Sequence, residues 1–275
     1  MFVTETIEYN LLLIALLTVS VATVLEYLRA NRRRSSNIVT MSLLAVTTVV
    51  LFCAVLARWL REGQGPFLTL YDVLLSNLFT LNLIYLVIYL RFVRTRVSAM
   101  VVLPFFVLLG IWLLNLPSAA VPLPATFDNP WLWMHVLSGK LFLGFSLVPA
   151  ALGIILLFPT LTARQAYGPA HIYARKLDAE IWPLFALAFI CHSCMLIAGA
   201  VWAHSAWGSY WAWDPLETWT LITWLAMALL LHVRVTYRQF PPAVAWVSVV
   251  AIFALAFLTF FGVPFFSMAP HKGVM

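Results

Sequence analysis

Eight apolar runs of about 20 residues, joined by links, leave this chain little choice of architecture. In lipid every backbone polar group must be satisfied internally, so only helices or closed barrels can span. The runs are continuous rather than alternating, which selects helices. Spans are expected near 9–28, 38–57, 70–90, 97–115, 131–158, 181–203, 216–236 and 243–263. At 64% hydrophobic and 9% charged, the chain cannot present a water-soluble surface. The fold class is an all-α integral membrane bundle, read as one domain over 1–275.

The formal charge of +6 does not indicate a nucleic-acid partner, because the basic residues lie in short links between spans. Arg29, Arg32, Arg33 and Arg34 follow the first span; Arg91, Arg94 and Arg96 the third; Arg164, Arg175 and Lys176 the fifth; Arg234 and Arg238 the seventh. Twelve of the sixteen basic residues thus share one side, which the positive-inside rule places in the cytoplasm. Both termini are then external, with Arg58, Arg61 and Lys272. Glu5 and Glu8 without a basic start do not read as a cleaved signal peptide, so the first span is expected to be retained. Cys53, Cys191 and Cys194 all fall inside apolar runs and imply no extracytoplasmic disulfide framework.

The external side collects the loop 58–69, the Pro-rich loop 116–130, the tail 264–275 and a link that concentrates aromatic rings. That link reads Trp207-Gly208-Ser209-Tyr210-Trp211-Ala212-Trp213-Asp214-Pro215-Leu216-Glu217-Thr218-Trp219. With Trp202 and Trp224, the segment 202–224 holds half of the tryptophans. An interfacial belt would spread them over all helix ends. Gathered in one place, with two carboxylates, they suit a flat, apolar, partly charged ligand such as haem. Asp214, Pro215 and Glu217 also have a structural reading as N-cap, first helical residue and capping-box partner. Gly208 permits a tight turn or a close ligand approach.

Haem iron takes axial imidazoles readily. His135, after Trp131 and Trp133, and His271 in the tail lie on the same side as the Trp-rich link. His232 lies about four residues, ~6 Å, from the cytoplasmic end of the seventh span. An ionisable group at that depth normally faces the bundle interior or a water path; an interfacial, snorkelling His is the alternative. Cys191-His192-Ser193-Cys194 is not C-x-x-C-H, and buried thiols are the simpler reading than a zinc site. His171 and His204 are expected in loops. Lys140, within the fifth span, needs an anionic or polar partner, for which a haem propionate, Asp72 or simple interhelical pairing would serve.

The order W-G-S-Y-W-A-W-D-P-L-E-T-W resembles the WWD signature of haem-handling membrane proteins, above all the cytochrome c synthase subunits of the system II pathway (CcsA/ResC type). Leu177-Asp178, Gly199-Ala200-Val201-Trp202-Ala203, Leu231-His232-Val233-Arg234, and Gly65-Pro66-Phe67 with Leu70-Tyr71-Asp72 extend the resemblance over about 60–275. The chain departs from the family pattern at Leu216, Asp72 and the tail Ala269-Pro270-His271-Lys272-Gly273.

The resemblance implies haem b as substrate and bound ligand, with His135 and His271 as axial ligands in the catalytic site. It implies that Trp207, Gly208, Trp211, Trp213, Asp214, Glu217 and Trp219 cradle the ring. His232 would receive haem from the cytoplasmic side, its companion His belonging to a CcsB-type partner. Arg58 or Arg61 could meet the propionates. The implied activity is that of a holocytochrome c synthase, joining haem vinyls to the C-x-x-C-H cysteines of apocytochrome c. The implied location is a bacterial inner membrane with a periplasmic active face, or a thylakoid membrane for a plastid-derived chain. A CcmC-type haem carrier and a HemX-type regulator of a haem-biosynthesis enzyme share parts of this signature. A generic ion-coupled transporter fits less well, since no pair of broken helices in corresponding halves is evident.

Overall fold

The computed structural model describes residues 2–30, 37–65, 67–158, 169–237 and 239–262, without the side chains of 2–6, 30 and 125. His271 and Lys272 lie outside the described residues, as do Arg32, Arg33, Arg34, Pro66, Arg164 and Arg238. The elements are α1 (Phe2–Ala30), α2 (Ile38–Glu62), α3 (Leu70–Arg91), α4 (Ala99–Leu114), α5 (Pro130–Leu157), α6 (Ala170–Trp207), α7 (Pro215–Thr236) and α8 (Pro242–Phe261). Short 3-10 turns occupy Val93–Ser98 and Ala125–Phe127. Among the described residues, eight helical spans are long and apolar enough to cross a membrane, as the apolar runs predict.

Local chemistry sets the helix ends. Thr69 caps α3 in a reciprocal capping box with Asp72, Asn129 caps α5 before Pro130, and Asp214 caps α7 before Pro215. Gly63 ends α2 in the left-handed conformation at φ 68°. No breaker precedes it, so α2 runs on to Glu62. Arg58 and Arg61 therefore stand in its last turns rather than in an open loop. At 38 residues, or roughly 57 Å, α6 is far longer than the span expected at 181–203. Residues 170–180 are polar but contain no helix breaker, and the helix continues through them. His171 and His204 thus belong to the ends of α6, not to loops.

The helices gather into two compact units. In the first, α1 packs on α2 and α4, and α3 packs on α2 and α4. Gly110 admits Leu16, whose Cδ1 would lie 2.9 Å from an added Cβ. Tyr27 donates to the Met100 carbonyl, and the Thr18 and Thr47 hydroxyls bond at 2.8 Å. One end holds a charged cluster. Arg58, 1% exposed, donates to Asp72 (2.8 Å) and to the Ser118 carbonyl (2.7 Å), with Glu62 at 3.4 Å. Arg61 pairs with Glu8 and Glu62.

In the second unit α8 packs on α5 and α7. An added Cβ at Gly153 of α5 would stand 3.1 Å from the Trp246 carbonyl of α8. Asp178 of α6 ties three helices together. It accepts from Arg234 of α7 (2.8 Å), Trp246 of α8 (2.8 Å) and Trp182 of its own helix (3.4 Å). Above it Trp224 of α7 donates to the Ser193 hydroxyl of α6 at 2.8 Å.

Candidate functional site

The second unit carries the aromatic link and His135. Asn129 and Pro130 start α5 so that His135 falls in its second turn, half-buried against α6. Its Nδ1 lies 2.9 Å from the Met195 carbonyl oxygen. A carbonyl can only accept, so Nδ1 carries the proton and the lone pair resides on Nε2. A histidine that ligates iron or zinc is commonly oriented this way, by a donor bond from its other nitrogen. The ring is also nearly parallel to Trp202, with centroids 6.3 Å apart and planes at 25°.

Trp202 is itself anchored. Its Nε1 donates to the Thr126 carbonyl, Phe127 meets it edge-on at 5.4 Å, and Trp207 meets it edge-on at 5.1 Å. His135, Trp202 and Trp207 thus form one run of rings. Beyond it the chain turns at Gly208, whose φ of 78° favours glycine, with open space where a Cβ would be. Tyr210 folds back onto His204 at 4.2 Å, and Trp211 meets Trp213 edge-on at 5.8 Å.

The two carboxylates brace this link. Asp214 accepts from the Glu217 backbone N–H at 2.8 Å, as an N-cap should. Glu217 does not close a reciprocal capping box. Its Oε2 reaches past the cap to the Ala212 N–H at 2.7 Å, between Trp211 and Trp213. Held on both flanks, Trp213 sits at φ 59°, a conformation L residues with large side chains rarely adopt. The residue is 69% exposed. Backbone strain of this kind concentrates at functional sites. Trp211 Nε1 is buried and has no hydrogen-bond partner among the described residues.

The sequence-derived site divides under this geometry. Trp207, Gly208, Trp211, Trp213, Asp214 and Glu217 share the link, and Trp219 follows it, partly exposed on the first turns of α7. Trp202 is buried within the run of rings beside His135, and Trp224 stacks on Phe189 at 5.3 Å. His232 faces outward rather than into the bundle, on the same stripe of α7 as Ile222, Leu225 and Leu229. Asp72 serves Arg58 and the Thr69 N–H within the first unit. Arg58 and Arg61, in the first unit, are already matched by Asp72, Glu62 and Glu8. His192 is wholly buried, stacked on Phe142 at 4.1 Å, and neither ring nitrogen has a hydrogen-bond partner among the described residues. Sequence reasoning missed the Met195 carbonyl, because a backbone acceptor leaves no mark on residue identity.

Residues 67–271 match the cytochrome c assembly protein family. The cytochrome c biogenesis protein CcsA of Trachelium caeruleum is 30% identical over 252 residues, covering 78% of this chain and 79% of its own. The protein of the same name from Chlamydomonas reinhardtii is 30% identical over 200 residues, 70% of this chain. That match spans only 57% of the algal protein's length. Among solved structures, the cytochrome c haem lyase CcmF aligns with 94% of this chain at a TM-score of 0.72 and 18% identity. The chain spans 46% of that larger protein, and the likeness is one of fold. With the match at residues 67–271 and this extent of identity, the chain belongs to the cytochrome c assembly protein family.

Proposed function

We propose that the chain holds haem b at the external membrane face for cytochrome c maturation, and with a CcsB-type partner catalyses its attachment to apocytochrome c. The observation that carries the reading is His135. Its Nδ1 is bound to the Met195 carbonyl, which puts the ligating lone pair on Nε2 beside a run of indole rings. His271 supplies the second imidazole in this reading. The exposed rings of Trp213 and Trp219 offer apolar faces to a porphyrin, and the buried Trp211 N–H offers a donor to a propionate.

Haem is the substrate. Each thiol of a C-x-x-C-H segment adds across a vinyl group: a C–S bond forms, the thiol proton goes to the other vinyl carbon, and no net oxidation occurs. What this chain's residues contribute is register, which turns a bimolecular encounter into an effectively unimolecular one. The outward position of His232 supports a receiving site completed by another subunit. The membrane is a bacterial inner membrane or a thylakoid membrane, with the aromatic link and both termini on the external side.

Co-expression with a CcsB-type partner and an apocytochrome, followed by haem staining of a denaturing gel, tests the proposal. Covalently labelled cytochrome is expected. Unlabelled cytochrome despite good membrane expression overturns the synthase reading. Haem bound to the purified chain would then indicate a CcmC-type carrier, and altered abundance of glutamyl-tRNA reductase a HemX-type regulator.

A further inference from the structure

We propose that Gly199 is a positioning residue for His135: the absence of a side chain at 199 creates the seat in which the imidazole lies and sets its tautomer. The inference rests on the assignment of His135 as an iron ligand. A Cβ added at Gly199 would stand 2.5 Å from His135 Nδ1, 2.9 Å from Cε1 and 3.5 Å from Cγ. Those atoms belong to a rigid ring held by the Met195 carbonyl and stacked on Trp202, so the ring itself must give way.

Gly199 lies inside α6 with no positive φ, so no backbone conformation demands glycine there. In such a position glycine weakens the helix relative to alanine. Gly63 and Gly208 are the opposite case, with positive φ and nothing within 4 Å of an added Cβ. Helix geometry gives the reason. A helical side chain leans back over the turn N-terminal to its own Cα. Residue 199 is one turn beyond Met195, so any side chain there would cover the Met195 carbonyl. Glycine leaves that oxygen open to a second donor besides the helical N–H. His135 Nδ1 takes the opening, and Nε2 is left as the ligating nitrogen. Gly199 never touches haem in this account; it acts through the ring.

The test uses the full chain purified with haem, comparing wild type, G199A, H135A, H135G and the double variant H135G/G199A. Loss of the orienting partner of a metal-bound His typically weakens metal binding 10–100-fold. G199A is therefore expected to bind haem about 10–100-fold more weakly, with loss of the two-imidazole low-spin spectrum. Free imidazole should restore that spectrum in H135G, and equally in H135G/G199A, because no tethered ring remains to clash. A G199A chain that fails to accumulate should accumulate again as H135G/G199A. If H135A keeps the wild-type spectrum, the assignment of His135 has failed. If H135A loses the spectrum while G199A keeps it, the positioning role is overturned. A G199A defect of equal size in the H135G background also overturns it, since the effect then does not pass through the ring.

Discussion

Removing Asp72 tests how the first unit accommodates two arginines in an apolar bundle. Asp72 accepts from Arg58 Nε at 2.8 Å and from the Thr69 N–H at 3.1 Å, and Arg58 is almost fully enclosed. Taking one partner from a buried ion pair costs about 3–5 kcal/mol, because the other charge is left uncompensated. D72A would also lose half of the capping box on α3, worth about 1 kcal/mol. Glu62 at 3.4 Å and the Ser118 carbonyl soften the loss, so the lower end, about 3–4 kcal/mol, is the expected value. For a unit of this size that lowers the thermal midpoint by roughly 10 °C. The readout is tryptophan fluorescence during thermal unfolding in detergent. D72N should fall between wild type and D72A, since it keeps an acceptor but not the charge. R58M/D72L should recover much of the D72A loss, because well-packed apolar pairs replace buried ion pairs with little penalty. If D72A melts within about 3 °C of wild type, or R58M/D72L melts below D72A, the pair does not carry the stabilisation assigned to it.

Three other substitutions bear on the second unit. E217A frees the Ala212 N–H and should cost about 1–2 kcal/mol; it should lower the haem-to-protein ratio without changing the axial signature in the visible spectrum. W213G relieves a left-handed backbone worth about 1 kcal/mol and should raise the melting temperature while weakening haem binding; movement of both quantities in the same direction would refute the strain argument. H192L replaces a buried ring whose nitrogens have no hydrogen-bond partner among the described residues with an apolar side chain of similar volume. It should be neutral or stabilising by about 1–2 kcal/mol with an unchanged haem spectrum, and a lost spectrum would show that His192 has a ligand role.

Hydropathy alone located the eight spans, because a bilayer penalises any alternative. It could not locate their ends. Residues 170–180 are polar yet helical, and α2 carries Arg58 and Arg61 inside its last turns because nothing stops it before Gly63. Capping was legible where it is local, as at Asp214 and Pro215. The reach of Glu217 to the Ala212 N–H was not, since the strained turn at Trp213 brings that donor close. Trp202 and Trp224 looked like members of the aromatic link. Their N–H groups are instead committed to Thr126 and Ser193, partners that only tertiary structure supplies. The outward face of His232 was hidden for a similar reason. A helical wheel shows which residues share a stripe, but not whether that stripe meets its own bundle. The sequence marks His135 only by its neighbours Trp131 and Trp133; the Met195 carbonyl beside its Nδ1 and the close approach at Gly199 come from tertiary structure.

The visible spectrum of the purified chain loaded with haem, recorded for wild type, H135A and H271A, decides whether these residues grip iron. Wild type should show low-spin haem with two imidazole ligands, and each single variant should lose that signature. A wild-type spectrum retained in either variant would contradict the proposed haem site.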